Sequence, residues 1–448
     1  GHGSGNIAIG YQSMESFNDV DFLRNTAVGF QTMSAGTTDD AQDNTAIGYR
    51  ALQLVEGADG NVAIGSYALK AITSGSLNVA IGAHALDAAT SATSNVAIGK
   101  NAMGANQTGG YTIAIGRESL ATINNHSNDG SVAIGYLAGG NQNGTGSQYT
   151  TANTLIGRQS GTTLTSGTFN TALGFGSMGG NYGGTALTGS YNVVVGHEAG
   201  LELVGATNDN VIIGYQAVDD SNTRLSLRSV FIGSQAGGGT WTDTNEDNVA
   251  IGYQSMDAAL GDSKYNVAVG SSTLGALTSG DSNIAIGYQA ADALTTGYAN
   301  VVLGKTALGA ADGGENNNVV IGFSAGSSIN HNSTSANVII GSWAATGGTG
   351  YISRSVIIGD DALVDLNTRN STYNTFVGSE SAGGTWAGDG TENTAIGYQA
   401  FKGAVNGANY NTVVGSQAGK AITTGDDNVN VGYLAGTAVT TGSKNICI

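Results

Sequence analysis

The sequence predicts an all-β chain: a repetitive parallel β-solenoid or β-roll of about 25 coils of 17–22 residues, assembled as a homotrimer. Three observations predict it. A five-residue unit recurs along the whole chain, as in "NVAIG" at 61–65 and again at 95–99. The repeat is too short for a pair of helices with their turns, and Val, Ile and Thr at its second and fourth positions favour strand. The chain also carries 73 Gly and no Pro in 448 residues, and each proline would delete a donor from an inter-strand ladder.

Numbering the unit from its asparagine, the fifth-position glycines run from Gly10 to Gly432 in 24 copies. A further copy, "NICI" at 445–448, stops before its glycine. With no composition break or linker, residues 1–448 read as one continuous array, with super-repeat blocks at about 1–195, 196–340 and 341–448. The glycines Gly196 to Gly287 map onto Gly341 to Gly432 with a constant shift of 145 residues, and Trp241 maps onto Trp386 with the same shift. Duplicated blocks suit a rod or spacer, since 25 coils at about 4.8 Å each would reach about 120 Å.

Position one is Asn in 21 copies and Ser or Thr in four, at Thr112, Ser131, Ser229 and Ser355. Stacked amides one strand spacing apart can bond along the axis and satisfy turn backbone. This predicts a structural ladder that includes Asn6, Asn25, Asn44, Asn61, Asn78, Asn95, Asn248, Asn283 and Asn393. Position four is Ile, Val or Leu in all 25 copies and is expected to fill an interior stack. The position-five glycine marks a bend or a close backbone approach.

Positions three and nine trade volume. Ala8 goes with Met14 and Ala395 with Phe401, whereas Leu155 goes with Gly161 and Phe231 with Gly237; 18 of 24 copies follow the exchange. Such compensation predicts one packed layer. Positions two and four share one side of the strand and position three takes the other. Both sides read as buried, one inside the coil and the other against a second wall or another chain, which is the argument for a homotrimer with its strands near the axis.

Function classes narrow by exclusion. The net charge of −18 opposes phosphate backbones and anionic membranes, so no nucleic acid is expected as a partner. No run approaches the length of a membrane span, so no membrane insertion is expected. The opening "GHGSGNIAIG" does not read as a signal peptide, which points to processing or to a longer polypeptide. Low Lys and Arg content with many Gly, Ser, Thr and Asn leans towards an extracellular, cell-surface or virion-surface location. The single cysteine, Cys447, rules out an internal disulfide framework.

No chemical site stands out, and neither a catalytic residue, a cofactor nor a metal is expected. His2, His84, His126, His197 and His331 lack a second histidine at metal spacing. The pairs Asp39–Asp40, Asp219–Asp220, Asp360–Asp361 and Asp426–Asp427 read as solvated turn acids, because neighbours on a strand diverge. Trp241, Trp343 and Trp386 are the candidate glycan contacts; the competing reading, favoured for large aromatics, packs each against the edge of a coil.

Copies such as "NTAIGYRAL", "NVAIGSYAL" and "NTAIGYQAF" resemble the head repeats of YadA-like trimeric autotransporter adhesins and, more closely, the NxAIG-type repeats of phage tail fibres. The resemblance spans essentially the whole chain, although these coils are longer than that family's head repeat. It implies a trimeric left-handed β-roll used for adhesion or reach. The expected function is therefore an extracellular structural and adhesive fibre segment, not an enzyme. Its partners would be further copies of itself, in a homotrimer or a head-to-tail filament, and a cell-surface glycan or protein receptor. The alternatives are a self-assembling filament subunit, an ice-binding solenoid and a glycan-degrading solenoid. Ice binding would need a flat array of one polar residue type, yet the Thr turns (Thr73, Thr278, Thr295, Thr423, Thr440) occur in a minority of coils. A hydrolase would need an acidic cluster at fixed register, and none is found.

Overall fold

A computed structural model describes residues 5–16, 22–36, 40–123, 129–142, 152–179, 186–221, 226–348 and 350–448. The chain forms an all-β parallel solenoid of about 23 turns, with no helix among the described residues. It divides into two compact units, Gly1–Arg228 and Ser229–Ile448.

In the first unit, three-residue strands from Ile7–Ile9 to Val211–Ile213 stack in parallel, and each pairs residue for residue with the next. Val62, Ala63 and Ile64 lie beside Val79, Ala80 and Ile81, which lie beside Val96, Ala97 and Ile98. The second unit repeats the arrangement from Val230–Ile232 to Ile446–Cys447. It adds a second short parallel ladder of Ile352–Ser353, Ser371–Thr372 and Gly390–Thr391.

One corner follows directly from the glycine. Gly65 has φ +133°, and a Cβ placed on it would lie 2.6 Å from the carbonyl oxygen of Gly82, one coil on. Backbone stacks on backbone here, so only glycine fits. Two further corners were not legible. Positions seven and nine are left-handed even where they are bulky, as at Gln31 (φ 51°), Met33 (φ 49°), Gln254 (φ 50°) and Met256 (φ 51°). The residue before the asparagine is left-handed too, as at Leu77 (φ 62°) and Tyr265 (φ 59°). Non-glycine residues resist this region. Here each is held by a bond to a neighbouring coil: Gln31 N–H donates to the Tyr11 carbonyl at 2.9 Å, and Met33 N–H to the Ala51 carbonyl at 3.2 Å.

The interior departs from expectation. Position three is buried, and positions two and four are not: Ala285 is fully buried, while Ile284 and Ile286 are 40% and 38% exposed. The same alternation holds in strand after strand. The expectation that position four fills the core is therefore corrected. The reason is parity. The asparagine at position one points inward, so position three must follow it, and positions two and four must face out.

Position three meets position nine across the coil. A Cβ on Gly161 would lie 2.8 Å from Leu155 Cδ2, and one on Gly237 would lie 2.6 Å from Phe231 Cδ1. In these two coils the large residue at position three leaves no room for a side chain at position nine, whereas Ile357 and Leu363 are both buried in one coil. Asn430 is an exception, a buried amide at position three with no hydrogen-bond partner for either polar atom.

Candidate functional site

The asparagines form continuous buried ladders. Asn61 Oδ1 accepts from the backbone N–H of Asn78 at 3.0 Å and from its Nδ2 at 2.9 Å, while Asn78 Nδ2 also donates to the Ala92 carbonyl at 2.7 Å. Asn6, Asn25, Asn44 and Asn95 take the same roles in the first unit. Asn248, Asn283 and Asn393 do so in the second. Where serine replaces asparagine, its hydroxyl substitutes: Ser229 Oγ accepts from Asn248 N–H, and Ser355 Oγ from Asn374 N–H, each at 3.2 Å. Every ladder amide serves the fold, which leaves none to bind a ligand.

The tryptophans separate. Trp241 and Trp386 are fully buried. Trp241 Nε1 donates to the Gly237 carbonyl at 3.1 Å and Trp386 Nε1 to the Ala382 carbonyl at 3.2 Å. Each packs against the position-three phenylalanine of its own coil, Phe231 or Phe376. Neither ring can lie under a sugar, so both are withdrawn as glycan contacts. Trp343 is 45% exposed, edge-on to Phe323 at 5.1 Å between centroids.

The outward face is the feature that strand parity creates. In each unit, two columns of Val, Ile, Leu and Thr at positions two and four run along it, half-exposed and in register. One flank carries exposed rings just before position one, such as Tyr111, Tyr191, Tyr265, Tyr373 and Tyr410. The other carries position six and its neighbour. There Tyr11, Phe30 and Tyr49 stack at 5.2 and 5.4 Å, and Tyr67 and His84 continue the column. Tyr11, Phe30 and Tyr49 lie face to face, as do Tyr67 and His84, whereas Tyr49 and Tyr67 meet edge-on.

Among the described residues no three of His, Cys, Asp and Glu are grouped to hold a metal. His84 Nδ1 lies 2.7 Å from Asp87 Oδ2, and His197 stacks between Phe175 and Tyr215. His331 lies against Tyr351; His2, His126 and Asp39 fall outside the described residues. Burial raises the carboxyls of Asp257 and Asp292 above their ordinary range. Burial, then Asp220, does the same for Glu202, and burial, then Asp360, for Asp361. Lys402 and Gln399 hold Glu380 below its ordinary value by hydrogen bonding, and Arg24 does so for Asp43. Thr73, Thr278 and Thr423 donate their hydroxyls to carbonyls of the next coil, which ties them to stacking.

The chain matches no protein-family model and no curated protein.

Proposed function

We propose that this chain is a segment of an extracellular structural and adhesive fibre, without catalytic activity, whose copies associate through the outward columns at positions two and four. The carrying observation is the pattern around the strand. Position three is buried as in a finished core, yet positions two and four stay aliphatic while half-exposed. A contiguous apolar strip of that extent on a soluble protein marks a surface that is covered in use. A homotrimer with the strands near its axis covers it, as the likeness to YadA-like and tail-fibre repeats would have it. Attachment at a cell or virion surface then falls to the residues left outside the shared axis.

Light scattering on the purified chain tests this. A mass of three chains supports the reading. A stable single chain at micromolar concentration removes it, and a mass that grows without limit indicates head-to-tail filaments instead.

One observation favours a second reading. Position two is Thr at Thr26, Thr45, Thr154, Thr171, Thr375, Thr394 and Thr412, and it faces outward, as a polar residue of an ice-binding array must. Thermal hysteresis from a monomeric preparation is the outcome that would establish it.

A further inference from the structure

The first unit carries a narrow basic strip on an acidic chain. Lys100, Arg117, Tyr136, Arg158, Phe175 and His197 all stand at position six, on six coils whose strands pair in succession. The column alternates cation and ring. Arg117 lies 5.5 Å and Arg158 5.9 Å from the Tyr136 centroid, Arg158 lies 5.4 Å from that of Phe175, and Phe175 stacks on His197 at 5.0 Å. Both faces of Tyr136 are therefore occupied by guanidinium groups. The column offers charge to solvent, with no open ring face for a sugar.

Part of the charge is spent internally, since His197 Nδ1 also lies 3.6 Å from Glu198 Oε2. Arg117 pairs with Glu118 at 3.0 Å. Among the described residues no carboxylate pairs with Lys100 or Arg158. The carboxylate of Asp129, the only other acid between residues 88 and 197, is turned to the backbone N–H of Gly110 at 2.6 Å. Stacking on aromatic rings fixes the two arginines in place without neutralising them. Three exposed cations stand within about 15 Å along one line, at multiples of the coil rise, and the outer two, Lys100 and Arg158, carry no carboxylate partner among the described residues.

We propose that this column binds a linear acidic polysaccharide whose charges recur at about the coil rise, ~5 Å. This deepens the adhesive reading of the fibre and rests on it. A single-file polymer fits a strip one residue wide. A nucleic-acid duplex is disfavoured, because its breadth would press phosphates against a unit with 16 Asp and Glu and only 8 Lys and Arg. The cations also place this edge in water within any assembly, since desolvating them unpaired is costly.

The experiment measures binding of the full chain to immobilised polygalacturonate, neutral dextran and duplex DNA at low and at physiological salt. The expected result is polygalacturonate binding that weakens with salt, with no dextran binding and weaker DNA binding. Lys100→Gln with Arg158→Gln should weaken it at least about tenfold, with an unchanged melting temperature, while Lys444→Gln leaves it intact. If the double variant loses stability, Arg158→Lys replaces it: retained binding supports recognition of charge. Absent polygalacturonate binding overturns the proposal, as does equal binding by a folded double variant or tighter binding of DNA. Light scattering on the same samples separates the two readings, because a trimer that ignores polygalacturonate refutes only this inference.

Discussion

Phe231 and Trp241 lie 5.7 Å apart between ring centroids, over a Gly237 that could not carry a side chain and whose carbonyl accepts the indole N–H. Phe376 and Trp386 repeat the ring contact 145 residues later, and the indole N–H again donates to the position-nine carbonyl, there Ala382, which carries a methyl group. Each tryptophan fills the space that a large position-nine residue fills elsewhere. Trp241→Ala and Trp386→Ala should each cost about 3–5 kcal/mol, the range for emptying a large aromatic site, whereas Trp343→Ala should stay within about 0.5 kcal/mol as an exposed substitution. Denaturant titration with local hydrogen exchange reads the difference. Equal losses at all three positions would contradict this packing.

The glycine corner makes a sharper comparison. Gly65 and Gly407 both have left-handed backbones, at φ +133° and +91°. A Cβ at Gly65 would lie 2.6 Å from the next coil's carbonyl, whereas at Gly407 nothing lies within 4 Å. Gly65→Ala should therefore cost more than about 3 kcal/mol and Gly407→Ala about 1–3 kcal/mol, the latter from backbone strain alone. Hydrogen exchange resolved coil by coil is the suitable measurement, because solenoid stability is local.

These cases show what was legible. The asparagine ladder and the exchange between positions three and nine are both pairings along or across a coil, and a repeat displays such pairings as correlated columns. Orientation was missed. Uniform aliphatic residues such as Ile286 read as core, although an inward asparagine at position one already fixes position four as outward. The left-handed corners at Gln31, Met33 and Met256 carry no glycine or asparagine signal, since inter-coil hydrogen bonds rather than residue preference hold them. The basic strip was hidden because its members are 17 to 22 residues apart in sequence and meet only when coils stack.

The ladder predicts a graded series at Asn78. Asn78→Ala leaves the Ala92 carbonyl and the next coil's amides short of partners, at a cost of about 2–4 kcal/mol for two unsatisfied buried groups. Asn78→Ser should cost about half as much, because Ser229 and Ser355 already accept from the next asparagine in this way. A serine variant no better than alanine would show that the amide's bulk, not its acceptor, matters.

Two kinds of carboxylate predict opposite pH behaviour. Burial raises Asp257 and Asp292, so the folded chain takes up their protons before the unfolded chain does, and their penalty is present above the folded pKa. Asp257→Asn and Asp292→Asn should raise the melting temperature at pH 7, and the gain should disappear below the unfolded carboxyl pKa. Glu380 is lowered by Lys402, so its contribution is present above the unfolded pKa and is lost as pH falls through the folded one. Glu380→Gln should lower the melting temperature slightly at pH 7 and have no effect in acid. Melting curves across this range decide the signs.

The outward face gives the test that bears most on function. Ile284 and Ile286 are half-exposed, while Ala285 between them is fully buried. Charged groups at 284 and 286 remain in water in a single chain, so Ile284→Asp with Ile286→Asp should leave the circular dichroism and the fold of the isolated coil intact. In an assembly built on this face the same carboxylates would be desolvated beside their counterparts, which is strongly unfavourable. The double variant should therefore sediment as a single chain where the parent is larger. Ala285→Asp is the converse control, since it puts a charge into the coil interior and should unfold that region without regard to assembly. A double variant that keeps the parent's mass would place the contact between copies elsewhere and leave columns two and four as a surface used for something other than self-association.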